Sequence, residues 1–349
     1  MNSYERAVAT LKGEIPDRVP TFELMIDPAV MQAITGSDDY ADFCEYVGLD
    51  IVVTGTPSKL YAEKVIDPAS RTIINEWGIV RRYSEQVVSI PLEGPIKKPA
   101  DIENYTPPDP YDERRYVQLK ALLQRFKGKK LVGMHLHDSF NYPVYLRGME
   151  QLFMDLIINP ELVQKLVRIS VDHNIAIAER AIDLGADFII LGDDYGSSTS
   201  TLVSPQHFRE FFLPGLKEVV QAVKAKGAFC LKHCCGNINA IVDDMVTTGL
   251  DGLHPLDPGA GMDMLAVKNR HPQLTVIGGI SCAEPLTEYS VEELKQEVKR
   301  VIDRVAPGGR YILASSNSIH SKVKPENFLA MQEAAREYGN YGKSGKQSG

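Results

Sequence analysis

The chain has 349 residues, 44% hydrophobic and 24% charged, an ordinary globular balance that excludes a largely disordered protein and allows one large domain or two small ones. Lys and Arg number 38 against 46 Asp and Glu, a net charge of -8, and the basic residues are scattered, which excludes a nucleic-acid footprint. No apolar run approaches the ~20 residues of a membrane span, and the charged start MNSYERAVATLKGEIPDR lacks the apolar core of a signal peptide, so a cytoplasmic protein with no membrane contact is expected.

In chain order, IPDRVPTFEL predicts a turn and a short buried strand, and DIVVTG at residues 50–55 predicts a second. Alternating runs on either side of Trp77-Gly78 predict a β-hairpin inserted after that strand. The segment IKKPADIENYTPPDPYDE reads as a surface connection into the helix VQLKALLQRF. From Lys130 onward the strands LVGMHLHD, DFIILGDD, AFCLKHCC, LDGLHPL, LTVIGGI and YILASS alternate with helical patterns. Ser204 before Pro205, and Ser290 with Glu293, mark helix starts. Such alternation means parallel strands with helices packed outside. The expected fold is α/β, a single (β/α)8 TIM-type barrel over residues 1–340 with an N-terminal extension and a hairpin insertion, then a disordered tail at 341–349. A doubly wound open sheet is the competitor. Against it, no GxGxxG follows a strand, and several strands end in polar residues, as barrel strands do at the face that carries active sites.

Those polar ends carry the candidate chemistry. In AFCLKHCC, strand alternation puts Phe229, Leu231, His233 and Cys235 on one face and turns Cys234 to the other. His233 and Cys235 are suitable zinc ligands; the alternative is a buried thiol beside a hydrogen-bonded imidazole. His135 and His137 share a face of GMHLHD and could bind metal, as in a hydrolase, or pack the barrel and orient a loop. Asp193 and Asp194 follow a very apolar strand, and one of them should face the cavity. Cys282, Ser281, Ser315, Ser316 and Asn317 end later strands, and Glu23, Arg147 and His254 are further polar candidates. Of five cysteines, three fall at positions 230, 234 and 235, a clustering that suits metal or thiolate chemistry in a reducing compartment better than disulfides.

PDRVP, DDYGSSTSTLVSPQHFREFFLPGLKEVV, GGIS and KPENFLAMQEAAREYG together resemble the uroporphyrinogen decarboxylase superfamily over nearly the whole chain. The resemblance implies a distorted barrel with its cavity at the C-terminal ends of the strands. The superfamily holds porphyrinogen decarboxylases and cobamide-dependent methyltransferases. The arginine-rich segment of the decarboxylases is replaced here by ELMIDPAVMQA, and their FSDI-type segment by TGTPSKL, so the resemblance favours the methyltransferase branch. That branch holds zinc on HxC and a later Cys. His233 and Cys235 match the first two ligands, and Asn317 stands at the third, leaving Cys282, or a carboxylate such as Asp193, to complete the set. The implied activity is zinc-dependent methyl transfer between a small methylated substrate or thiol and a corrinoid. The corrinoid would ride on a separate protein, because no DxHxxG-like segment is present. Asp193 and His137 are the catalytic candidates, and a monomer or homodimer is expected. The rivals are a decarboxylase, a metal-dependent hydrolase using His135 and His137, and a non-catalytic tetrapyrrole-binding barrel.

Overall fold

The computed structural model describes residues 1–55, 62–84 and 88–342. Its strands, in chain order, are β1 (Ile51–Gly55), β2 (Ala62–Asp67), β3 (Thr72–Asn75), β4 (Val80–Arg82), β5 (Ile90–Glu93), β6 (Leu131–Leu136), β7 (Phe188–Leu191), β8 (Phe229–His233), β9 (Gly252–His254), β10 (Thr275–Ile280) and β11 (Tyr311–Ser315). β1 and β6 to β11 form a seven-stranded sheet in sequence order, and every neighbouring pair is parallel. All six strands expected after Lys130 are therefore present. Residues of period two divide between the two faces. Phe22, Ile51, Val53, Leu131, Ile190, Leu231, Ile277 and Ile312 cluster inside the curl, while Val52, Val132, Ile189, Cys230 and Val276 join the larger cluster under the helices.

The strand expected in IPDRVPTFEL is reduced to a bridging segment. Thr21 pairs in parallel with Leu313 of β11, and Phe22 with Ile51 of β1. The Phe22 amide donates to the Leu313 carbonyl at 3.0 Å, and the Ile51 amide donates to the Thr21 carbonyl at 3.3 Å. The two edges of the sheet thus meet on one short stretch, which satisfies backbone groups that an open edge would leave exposed. Asp50 fastens it. Its buried carboxylate accepts hydrogen bonds from Arg6 Nη1 at 2.7 Å, from Arg18 at 2.9 and 3.0 Å, and from the Thr21 amide at 2.9 Å. Asp17 in turn holds Arg6 through two guanidinium nitrogens, so the PDRVP motif anchors the closure.

Two expectations need correction. β3 and β4 do pair as the hairpin around Trp77-Gly78, with Ile73 opposite Arg81, but β2 and β5 flank them in a four-stranded antiparallel sheet. These outer strands were hard to read because edge strands tolerate mixed polarity, and β5 contains Pro91, which cannot donate to a ladder. The helix that starts after Ser204 is interrupted as well. It divides into Pro205–His207, a wider π-type turn at Phe208–Phe212, and Leu213–Ala225, because Pro214 has no N–H to continue the ladder. The capping box of Ser290 and Glu293 is formed as expected. Among the described residues no helix is long and apolar enough to cross a membrane. Of the disordered tail expected at 341–349, residues 343–349 lie outside the described residues, as does most of TGTPSKL, whereas the Tyr341 amide donates to the Asp17 carbonyl at 3.2 Å.

Asp50→Ala should strip partners from two guanidinium groups and an amide, costing about 3–5 kcal/mol of stability in urea unfolding. Glu23, on the same closing segment, is buried, and burial pushes its carboxyl up to about 8 from 4.5 against opposing hydrogen bonds from Ser315. Between those two values the folded chain keeps a proton that the unfolded chain releases. The stabilisation is thus fully present below 4.5 and lost as pH rises toward 8. Glu23→Gln should flatten that slope when urea midpoints are compared across the window.

Candidate metal centre and adjoining cavity

The parallel register sets His233 of β8 directly opposite His254 of β9. Their Nδ1 atoms lie 2.7 Å apart, and His254 Nε2 lies 3.1 Å from the Ser315 carbonyl. Burial holds both rings neutral, lowering His233 to about 3 and His254 well below the usual range. The tautomers then follow from the partners. A carbonyl only accepts, so His254 Nε2 carries its hydrogen and His254 Nδ1 is an acceptor; His233 Nδ1 must donate to it. His233 Nε2 is left with a bare lone pair, aimed away from β9. At that atom lie Cys235 Sγ, 3.2 Å away, and Asp194 Oδ1, 3.5 Å away.

Asp194, His233 and Cys235 are the residues whose ligand atoms all fall within 4.8 Å of one another among the described residues. The Cys235 amide donates to Asp194 Oδ1 at 2.8 Å, which fixes the carboxylate, and Asn317 Nδ2 donates to Cys235 Sγ at 3.2 Å. Burial, reinforced by the Asp194 charge, pushes the Cys235 thiol up, and burial also raises Asp194. A thiol held from ionising, a carboxylate and one lone pair converge, an arrangement that a cation would relieve. The convergence depends on the crossing of two loops. A Cβ on Gly196 would lie 2.5 Å from the Cys235 carbonyl oxygen, and one on Gly236 would lie 2.5 Å from the Gly196 backbone.

The expected carboxylates separate in role. Asp193 is fully buried and bonds His137 Nδ1 at 2.7 Å, the Phe140 amide at 2.7 Å and the Asn141 amide at 3.0 Å. Burial alone would raise its pKa, but the His137 ring, the Lys232 charge and the Phe140 amide outweigh it and hold Asp193 low. Lys232, on the opposite face of β8 and fully buried, reaches the Asp193 carbonyl at 2.7 Å and Asp138 Oδ2 at 2.8 Å. The carboxylate beside His233 and Cys235 is therefore Asp194, not Asp193. Cys282 lies outside that group of three; its amide bonds Ser316 Oγ. His135 also lies outside it. Its Nε2 is buried without a hydrogen-bond partner, packed where a Cβ on Gly192 would come within 1.8 Å.

Beside this cluster, at the C-terminal ends of β1 and β6, is a cavity of about 290 Å³ lined by Met25, Trp77, Arg81, His137, Tyr142 and Tyr145, among others. The Trp77 and Tyr142 rings stack with centroids 3.8 Å apart, and His137 meets Tyr142 edge-on at 4.8 Å. Trp77 and Arg81 come from the inserted sheet. No sequence signal assigned a role to Arg81 or Tyr142, whereas His254 and Asp194 were visible as polar strand ends whose partners were not.

A family model described as uroporphyrinogen decarboxylase (URO-D) matches residues 2–338, and the chain belongs to that family. Over 182 residues it is 29% identical to the methylcobamide:CoM methyltransferase MtaA of Methanosarcina barkeri, covering 51% of this chain and 50% of that protein. The chain thus spans about half the length of this relative. It is 25% identical to the uroporphyrinogen decarboxylase of Chlorobium phaeovibrioides, covering 88% and 89% of the two chains. A solved methyltransferase from Methanosarcina mazei superposes with a TM-score of 0.76 at 20% identity, covering 97% and 99% of the two chains, a likeness of fold.

Cys235 is partly accessible, while Cys44, Cys230, Cys234 and Cys282 are buried. Alkylation of the native, metal-free protein followed by mass spectrometry should label Cys235 first, faster as pH rises because its thiol is pushed up. The other four should react only after unfolding.

Proposed function

We propose that this chain moves a methyl group between a small methylated substrate or thiol and a corrinoid carried by a separate protein, with zinc held by Asp194, His233 and Cys235. The convergence of two further electron-pair donors, Asp194 and Cys235, on the His233 lone pair that His254 aims carries this reading. A metal-binding imidazole ordinarily donates its other N–H to a fixed acceptor, as His233 does here. Bound there, zinc would supply Lewis acidity toward the oxygen or sulfur that bears or receives the methyl group.

The chain's own residues do the rest. His254 keeps His233 in the ligating tautomer, and the Asn317 amide supports the Cys235 sulfur as a thiolate. The buried Asp193 orients His137 through Nδ1, which leaves Nε2 to hold or pass a proton at the cavity. A cavity of ~150 Å³ accepts one benzene ring, so about 290 Å³ has room for a small substrate with one substituted ring. The name of the MtaA relative supports methyl transfer, and the longer match to a decarboxylase makes carbon dioxide release the outcome to test against it.

Protein purified without chelators should contain about one zinc per chain. His233→Ala and Cys235→Ala should lose it, Asp194→Asn should bind it more weakly, and Cys282→Ala should keep it. His254→Phe should lower zinc affinity roughly 10–100-fold in chelator competition. Full metal content in the His233→Ala, Cys235→Ala double variant would refute the site. Carbon dioxide release from a porphyrinogen without metal would refute the activity.

A further inference from the structure

We infer that the cavity beside the metal cluster binds a monocyclic aromatic anion, with Arg81 as the anchor for its carboxylate; as a substrate assignment this rests on the methyl-transfer reading above. The inference starts from charges. Glu76, on the lining, is neutralised by two guanidinium nitrogens of Arg115, at 2.7 and 2.6 Å. Asp193 is committed to His137 and two amides. Arg81 is different. Its guanidinium lies 4.8 Å over the Tyr145 ring and donates from Nε to Ser89 Oγ at 2.8 Å and from Nη2 to the Ser89 carbonyl at 3.1 Å. No carboxylate among the described residues pairs with it. A guanidinium has five N–H donors in a planar fork that matches a carboxylate, and its bonds to Ser89 and contacts with Tyr145 leave donors at the cavity wall with no anionic partner among the described residues.

The remaining lining selects the body of the ligand. Trp77, Tyr142 and Tyr145 present aromatic faces and edges, and Leu24, Met25 and Val53 are apolar. Aromatic rings favour stacked or edge contacts with another ring. One ring with a carboxylate and a small ether or hydroxyl substituent fits the available volume. It also places charge at Arg81 in the cavity that His137 lines.

Trp77 is the only tryptophan in the chain, so its fluorescence reports on the cavity directly. Titration of the metal-free protein with 4-methoxybenzoate should give a saturable change in emission. The uncharged 4-methoxytoluene and the aliphatic hexanoate should each bind about tenfold or more weakly, the cost of losing a charge-assisted pair or the ring contacts. Arg81→Met should weaken 4-methoxybenzoate by a similar factor without changing 4-methoxytoluene, and an unchanged circular dichroism spectrum would confirm that the variant folds. No saturable signal, equal affinity for the charged and neutral rings, or preference for hexanoate would overturn the inference. The titration needs neither zinc nor a corrinoid. Failure here with one zinc still bound would refute the ligand alone, while ring binding without zinc or methyl transfer would refute the wider reading.

Discussion

The carbonyl of Ser315 decides what His233 can do. It accepts the Nε2 hydrogen of His254, and that single constraint propagates through two neutral rings to place a lone pair at His233 Nε2. Remove the acceptor and His254 is free to take the other tautomer. His254 Nδ1 would then carry a hydrogen against His233 Nδ1, and the second ring would have to turn or retautomerise. Burial matters equally, because a protonated ring would donate from both nitrogens and offer no lone pair. The hydrogen-bond chain joins β11, β9 and β8, three strands brought together only by the curl of the sheet. The closure on Thr21 and Phe22, tied down by Asp50, therefore supports the electronic state of the His233 imidazole elsewhere in the barrel.

Strand β8 serves both faces of the fold. Its inward residue His233 belongs to the candidate metal-binding cluster, and its outward neighbour Lys232 binds Asp138 and the Asp193 carbonyl. One strand thereby places the imidazole and also the loop that brings Asp193 to His137 and Asp194 to Cys235. Burying an ammonium costs several kcal/mol unless it is paired and hydrogen-bonded. Lys232 meets both conditions, and the loop it holds is the one on which the two carboxylates depend.

Much of this was legible in the residues. Period-two alternation separated His233 and Cys235 from Cys234 and Cys230, and the strand rhythm after Lys130 delivered the parallel sheet. The pairing of Asp194 rather than Asp193 with the cluster was not legible, because both follow the end of β7 and leave the regular alternation of a strand there. His254 was visible as a polar strand end, but its partner depended on parallel register, which no local pattern encodes. Trp77 and Arg81 were read as parts of a hairpin. Their place on the cavity wall depends on how the inserted sheet lies over the strand ends, a tertiary fact with no sequence period.

The substitution of Asn317 for the cysteine that the family resemblance leads one to expect has a chemical consequence on the proposed reading. Histidine with two thiolates and histidine with one thiolate and one carboxylate carry the same charge, so exchanging Cys for Asp in the set leaves the formal charge unchanged. The character of the set does change. A carboxylate is a harder donor than a thiolate and gives less electron density to zinc, and Asn317 donates a hydrogen bond to the remaining sulfur, withdrawing more. Both changes leave a bound zinc more electrophilic. That suits an oxygen atom, itself a hard donor, better than a thiolate that must stay nucleophilic once it is bound. On that reading such a ligand set would favour removing a methyl group from an ether, the direction in which an aromatic ring with an ether substituent, held at Arg81, would be the donor.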